Sequence, residues 1–194
     1  MRYGIRSITM DEIASQLGIS KKTIYQFFTD KDEMVEGVVD NHIHENEEKC
    51  YRFREASENA ISEIFLAVDE TEEMLKAMNP LIMYDLEKHH PKAHKKFWDH
   101  IHRFMYKMIH ENLQRGISEG LYRENFNQDI ACKHRLASAF MGFNQDIFPH
   151  NRYKISEVVR ELAMLFVNSI ASDRGRALIE KYSTERIKHL SHEQ

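Results

Sequence analysis

The sequence predicts an all-α protein with a small N-terminal head and a larger helical body. Apolar residues recur at helical spacings along most of the chain, and no segment alternates with period two for long enough to predict a strand. Glycine and proline are few, at 7 and 3 of 194 residues, which fits helices with short connections. With 42% apolar and 30% charged residues, the composition is that of a globular chain. We assign residues 1–40 to the head and residues 41–194 to the body.

Within the head, residues 9–31 predict two short helices joined by a tight turn. Thr9 with Glu12 three positions later forms the pattern of a capping box. Gly18 suits the left-handed conformation that ends many helices, and Ser20 can cap the second helix. Two short helices around such a turn are typical of a helix-turn-helix. The second helix carries five side chains able to bond phosphates or base edges, namely Lys21, Lys22, Thr23, Tyr25 and Gln26.

The apolar residues of this segment are expected to form the inner side of the head. Ile13 and Leu17 lie one helical turn apart, and Ile24 with Phe27 or Phe28 provides the apolar face of the second helix. A helix–glycine–helix pattern also occurs in bundles that bind no nucleic acid, so spacing alone leaves both interpretations open.

The same segment matches a family pattern position by position. The matching residues are Thr9, Ile13, Ala14, Leu17, Gly18, Ile19, Ser20, Thr23, Ile24, Tyr25, Phe28 and Lys31. Over about the first forty residues the chain therefore resembles the TetR/AcrR-type transcriptional regulators, with Phe27 where histidine or tyrosine is more usual. The resemblance implies phosphate contacts from Thr9, Thr23, Tyr25 and Lys31. It also places Lys21 and Lys22 at the start of the recognition helix, where a lysine can favour guanine.

In that family a further helix precedes the motif and packs across it. Its usual ending, an aromatic residue followed by Gly, Ile and a basic residue, resembles Tyr3, Gly4, Ile5 and Arg6. We therefore expect the first helix of the head to be missing from the sequence as given, through truncation or a misassigned start. Its loss would uncover apolar side chains at a cost of roughly 1.5–3 kcal/mol each.

The remaining helices are predicted from apolar periodicity and from breaks at proline and glycine. Asp30 and Glu33 predict a second capping box. It opens a long helix whose expected buried stripe is Met34, Val35, Val38, Val39, His42 and Ile43. Further helices are expected from Ser57 to the Asn79–Pro80 break, from about Leu81 to His89, from the His90–Pro91 break to Gly120, over 127–148 until Pro149, over 155–170, and from Asp173 to about Leu190.

The body is expected to hold an effector pocket. Methionine and aromatic side chains suit a pocket for varied apolar ligands, although most such residues in a helical body form the core. The family resemblance implies the pocket, and the candidates for its lining are Phe65, Met78, Tyr84, Trp98, Met105, Phe140 and Phe143.

The resemblance also implies a homodimer in which the last two major helices of each body pair. Broad apolar stripes over 127–148 and 155–171 agree with this expectation. A twofold dimer would place two heads on successive major-groove faces, about 34–36 Å apart. The candidate interface residues are Leu136, Phe140, Ile147, Val158, Leu162, Leu165 and Phe166.

Other classes of site find little support. A di-iron carboxylate bundle needs two Glu-x-x-His pairs, whereas we find one, Glu87 with His90. Cys50 and Cys132 are the two cysteines, so neither a disulfide nor a zinc site is indicated. We predict no catalytic residue, no metal and no cofactor. Because the sequence lacks a long apolar run and an apolar signal core, we expect no membrane partner and a cytoplasmic location.

These observations predict a ligand-responsive, homodimeric transcriptional regulator, which we expect to be a repressor. Its partners would be a pseudo-palindromic operator in double-stranded DNA and an unidentified small-molecule effector that releases or tunes it. The net charge of −4 provides no general attraction to nucleic acid, so the basic side chains must lie on one face. The alternative is a helical-bundle binding protein or metal-dependent enzyme with a vestigial helix-turn-helix.

Overall fold

The structure, a computed structural model, describes residues 4–79 and 81–192, with side chains up to residue 186. Tyr3 and Pro80, which entered the sequence predictions, lie outside the described residues. The helices within this part are α1 Met10–Leu17, α2 Lys21–Ile24, α3 Lys31–Ala56, α4 Ala60–Ala77, α5 Ile82–His89, α6 Pro91–His100, a π-helical turn Ile101–Met105, α7 Tyr106–Ser118, α8 Gln128–Met141, α9 Ile155–Ile170 and α10 Asp173–His192.

The all-α prediction is confirmed. Apart from helices, turns and loops, the described residues contain an isolated antiparallel bridge between Tyr122 and Ala171. The ends predicted at His89 and Ile170 agree with α5 and α9. Gly120 adopts the left-handed conformation expected of a helix terminus, with φ of 68°. None of the described helices has the length and apolarity that a bilayer crossing requires.

Two helix predictions are wrong in detail. The helix expected before Gly120 is interrupted by the π-helical turn between α6 and α7. The helix expected over 127–148 ends at Met141, because the following residues form a local turn. There the side chain of Asn144 accepts hydrogen bonds from the backbone N–H groups of Asp146 and Ile147. Such bonds compete with helical pairing of the backbone.

The described residues group into two compact units. The first contains the chain up to Glu48 together with Ala77–Arg103, and the second contains Lys49–Lys76 and the chain from Phe104 onward. The first unit therefore includes α5 and α6 as well as the helix-turn-helix segment. The division of function at residue 40 stays a prediction.

The first unit has two apolar clusters. One joins α1 and α2 through Met10, Ala14 and Ile24, with Ile13 and Phe28 packed against it. The other cluster consists of Val35, Val39, Ile82, Leu86 and Ala93, with Ile5, Ile43, Met78 and Phe97 partly buried against it. These clusters confirm the predicted inner positions of Ile13 and Ile24, and they select Phe28 over Phe27.

Three residues predicted to lie inside this unit are exposed. Leu17, at the last position of α1, keeps 63% of its surface accessible. On α3 the buried positions are Val35 and Val39, four residues apart, whereas Val38 and His42 are exposed. The buried stripe of α3 is therefore narrower than the apolar pattern indicates, because a helix packed on one side covers a limited arc.

The second unit has a single large core cluster. Its buried members are Ala60, Ile61, Phe65, Leu113, Leu121, Tyr122, Ala131, Cys132, Phe166, Val167, Ile170, Ala171 and Ile179. The buried Tyr122 hydroxyl donates to Asn112 Oδ1 at 3.1 Å, and the Asn112 amide donates to the carbonyl of Ala60 at 2.9 Å. These bonds satisfy polar groups that would otherwise destabilise the core.

Candidate nucleic-acid interface

The entry to α1 forms the predicted capping box. Thr9 Oγ1 accepts a hydrogen bond from the Glu12 N–H group at 3.2 Å, and Glu12 Oε2 accepts from the Thr9 N–H group at 2.7 Å. The Thr9 hydroxyl also donates to Glu12 Oε2 at 2.9 Å. The hydrogen bond from the Thr9 backbone is the main cause that lowers the pKa of Glu12. At the other end, Gly18 has φ of 65° and closes α1 in the left-handed conformation.

The α2 segment presents polar side chains on its outer side. Ser20 caps the helix by accepting from the Thr23 N–H group at 3.1 Å. Ile24 is buried against α1, and this fixes which side of the single helical turn faces outward. Lys21, Lys22, Tyr25 and Gln26 are exposed, and Thr23 is partly buried. The exposed side chains include both donors and acceptors for phosphates and base edges.

The two lysines at the start of α2 have different surroundings. Lys21 Nζ lies 2.8 Å from Asp11 Oδ2 of α1, and this hydrogen bond raises the pKa of Lys21. Lys22 has no ion pair among the residues that the structure describes. Both side chains of the Lys21–Asp11 ion pair are exposed, so water and phosphate oxygens can compete with Asp11 for the ammonium of Lys21. The ammonium of Lys22 can therefore bind a new partner without breaking an ion pair to another described residue.

Lys31 at the start of α3 makes contacts that the sequence did not indicate. Its ammonium donates to the backbone carbonyls of Ile5 at 2.7 Å and Ile8 at 2.5 Å. These residues lead directly into the Thr9 cap, so Lys31 ties the start of α1 to the start of α3. A lysine has three N–H donors, and two are used here.

A second contact holds the same segment. The carboxylate of Asp85 on α5 is buried, and its Oδ2 accepts from the Arg6 N–H group at 3.1 Å. Sequence reasoning did not reveal this role, because Asp85 stands 79 positions from Arg6.

The predicted capping box of α3 is half correct. Asp30 Oδ1 accepts from the Glu33 N–H group at 2.8 Å, as expected. The Glu33 carboxylate instead accepts from the N–H group of Thr29 at 2.5 Å and from its hydroxyl at 2.7 Å. The Thr29 hydrogen bonds lower the pKa of Glu33.

His90, which the sequence analysis considered as a metal ligand, is buried, and its Nδ1 atom lies 2.6 Å from Asp32 Oδ1.

The seven candidate pocket residues are divided between the two units. Met78, Tyr84 and Trp98 belong to the first, where Met78 packs against the apolar cluster and Tyr84 is exposed. The second unit holds four of the seven, namely Phe65, Met105, Phe140 and Phe143. Phe65 is a buried member of the core. The rings of Phe140 and Phe143 lie 6.3 Å apart, so these two candidates do lie together.

The candidate interface residues also separate into two kinds. Leu136, Val158 and Phe166 are buried within their own chain, so assigning them to a partner surface needs correction. They face inward because α8 and α9 pack on each other, with the His134 ring stacked at 5.9 Å on Phe166. Phe140 and Leu162 are partly buried. Leu165 and Ile147 are exposed, as are two apolar residues of α8 that the sequence analysis did not select, Ile130 and Met141.

Comparison with known proteins agrees with this geometry. Residues 1–38 match the sequence model described as bacterial regulatory proteins, tetR family. Across 170 residues the chain is 22% identical to YvaF, an uncharacterized HTH-type transcriptional regulator of Bacillus subtilis, covering 86% of this chain and 87% of that one.

Solved structures share the fold at low identity. A TetR-family transcriptional regulator from Agrobacterium tumefaciens superposes with a TM-score of 0.72 at 14% identity, over 88% of this chain and 90% of that chain. The transcriptional regulator FadR from Bacillus subtilis, solved in complex with stearoyl-CoA, gives 0.66 at 15% identity, over 86% and 91%.

Fold and site together define a DNA-binding transcriptional regulator of the helix-turn-helix class, and the enzyme alternative is set aside. Within that class, residues 1–38 match the tetR-family model, and the chain as a whole shares its fold with TetR-family regulators.

Proposed function

We propose that this protein is a homodimeric repressor that binds a pseudo-palindromic operator and responds to a small-molecule effector. The observation that carries the proposal is the outer side of α2, where Lys22, Tyr25 and Gln26 are exposed while Ile24 anchors the helix. Side chains held this way can enter the major groove and distinguish base edges. Lys21 can also contact DNA, once a phosphate or a base displaces Asp11 from its ammonium.

Phosphate contacts would position the head on the duplex. Tyr25 offers an exposed hydroxyl, and Lys31 retains one N–H donor beyond those that hold Ile5 and Ile8. Thr23 Oγ1 lies 2.8 Å from Ser20 Oγ, so it can share a phosphate with that hydroxyl. The Thr9 hydroxyl donates to Glu12, and a phosphate contact there requires the hydroxyl to rotate away.

Exposed apolar side chains on α8 and α9 support a homodimer. Leu165 keeps 66% of its surface accessible, and Ile130 keeps 63%. Covering such side chains against a second copy stabilises a dimer by roughly 1.5–3 kcal/mol for each one fully buried. The proposed interface therefore centres on Ile130, Met141, Ile147, Leu162 and Leu165. Because a dimer joins two heads, it can bind both halves of a twofold operator.

We assign the effector site to the second unit, with Met105, Phe140 and Phe143 as its apolar candidates. The complex of Bacillus subtilis FadR with stearoyl-CoA supports the idea that this fold can accommodate an acyl chain. An effector changes operator affinity only by its preference for one body conformation over the other. For a repressor, we expect effector binding to lower operator affinity and release the protein from DNA.

The test is a mobility shift with duplex DNA from the gene's own upstream region. The wild-type chain should retard this fragment at low salt and release it as salt rises, since each phosphate contact displaces counterions. The Lys22→Met variant should lose preference for that fragment over a scrambled duplex. Equal retardation of both duplexes by the wild-type chain would contradict operator binding.

A further inference from the structure

Arg135 on α8 carries a charge that no described residue balances. Its Nη1 atom is buried and has no hydrogen-bond partner within residues 4–79 and 81–192. Arg115, another half-buried arginine of this unit, shows the contrast. Its guanidinium donates to the Ser57 hydroxyl at 2.7 Å and to Glu63 at 3.1 Å, and it pairs with Glu119 at 2.8 Å. Arg115 is thus a partnered structural arginine, whereas Arg135 is not.

Arg135 lies on the inward face of its helix. The residues four and three positions before it and three positions after it are Ala131, Cys132 and Ser138, and all are buried. Residues at these spacings share one side of an α-helix. Ala131 and Cys132 belong to the core cluster of the second unit, so the surroundings of the guanidinium are mainly apolar.

The pKa values of two residues on this side of α8 agree with surroundings of low polarity. Burial raises the pKa of the Cys132 thiol to about 11. Burial is also the cause that lowers the pKa of Arg135 to about 10, with no charged group acting against it. Arg135 nevertheless keeps an intermediate accessible surface. The buried Nη1 atom thus belongs to a side chain that is still partly accessible to solvent.

A buried cation without a counter-charge destabilises the folded chain, because the lost hydration is not replaced. We propose that Arg135 is the anion-binding residue of the effector site, and that the effector is an organic acid with one carboxylate and an apolar body. The inference rests on the proposed function, whose effector it specifies. A single carboxylate neutralises one guanidinium and matches its planar pair of donors.

The apolar surroundings and the charge balance select this class of ligand. A phosphate dianion would leave an excess negative charge beside a single guanidinium. The apolar body would contact Phe140, near the end of α8, and Phe143, just beyond it, whose partly buried rings lie 6.3 Å apart. A small hydrophilic anion would gain nothing from them.

Calorimetric titration with octanoate tests the inference, with octanol as its uncharged counterpart. Octanoate should bind the wild-type chain, and Arg135→Met should weaken its binding by about 10-fold to 100-fold, as expected for a charged hydrogen bond. Octanol should bind both chains equally. Arg152→Met removes an exposed arginine of the same unit, and it should leave octanoate affinity unchanged.

The melting temperature without ligand separates a binding role from a structural one. Arg135→Met should raise the melting temperature, because it removes an unpaired buried charge. A lower melting temperature would show that Arg135 is partnered inside the fold and would overturn the inference. Failure of octanoate to bind, equal affinity in both chains, or preference for octyl phosphate would overturn it too. If the wild-type chain shifts operator DNA but ignores octanoate, this inference fails while the proposed function stands.

Discussion

Replacing Lys31 by methionine should both destabilise the N-terminal head and lower its affinity for DNA. The substitution keeps an unbranched apolar stem and removes the ammonium that donates to the carbonyls of Ile5 and Ile8. A hydrogen bond from a charged donor contributes about 1.5–3 kcal/mol. Lys31 is partly accessible, and water can replace part of the interaction. We therefore take the lower value for both bonds and expect a loss of about 3 kcal/mol.

The same variant measures any phosphate contact by Lys31. If its remaining N–H donor meets a phosphate in each head, the slope of log K against log salt should decrease by about 0.9 per head, or about 1.8 for a dimer. Affinity should fall alike for operator and scrambled duplexes, because phosphates carry no sequence information. Fluorescence anisotropy across a salt series gives the slope, and urea unfolding gives the stability.

Lys22→Met is the matched control, since Lys22 is exposed and has no ion pair among the described side chains. Its stability should change by no more than about 0.5 kcal/mol, as for most surface substitutions. Its base preference should relax instead. If Lys31→Met leaves the free energy of unfolding unchanged, a stabilising role for the hydrogen bonds from Lys31 to Ile5 and Ile8 is refuted. An unchanged salt slope would refute the phosphate contact alone.

Three further predictions concern the cap, a buried histidine and the proposed interface. Thr9→Ala should lower the free energy of unfolding by about 1 kcal/mol, whereas Thr9→Ser should retain most of it; equal losses in urea melts would argue against the cap. Burial lowers the pKa of His100 below 6.5, so the unfolded chain binds the proton more readily, and stability should fall as pH drops through about 6.5. Thermal melts of His100→Gln should show a flatter pH profile, and an unaltered profile would assign the dependence to other groups. Leu165→Glu should give monomers in sedimentation velocity with a native circular dichroism spectrum, and a persistent dimer would exclude this face.

Local features of the head were predictable because neighbouring residues determine them. The Thr9–Glu12 box and the left-handed Gly18 depend on backbone geometry within a few positions, and both are present as expected. The early end of α8 was missed because the Asn144 turn competes locally with an apolar pattern that continues to Ile147. Periodicity records the apolar side of a helix but not where a polar side chain captures the backbone.

Long-range contacts were beyond sequence reasoning. Lys31 matched a family position, yet its bonds to Ile5 and Ile8 depend on how the chain before α1 returns to α3. The isolation of Arg135 depends on what surrounds α8, and no spacing in the sequence indicates it. The exposure of apolar side chains was not predictable either. Leu17 and Phe166 are both apolar residues at helical spacing, but only Phe166 is buried within its own chain.

The most direct test of operator recognition by a dimer is selection of binding sites from random duplex DNA. We expect the selection to enrich a site with twofold symmetry, whose half-sites lie about one or a whole number of helical turns apart. Lys22→Met should relax the base preference at symmetric positions in both halves. Recovery of unenriched sequences, or of a site without symmetry, would contradict the claim that two copies of residues 9–31 bind DNA together.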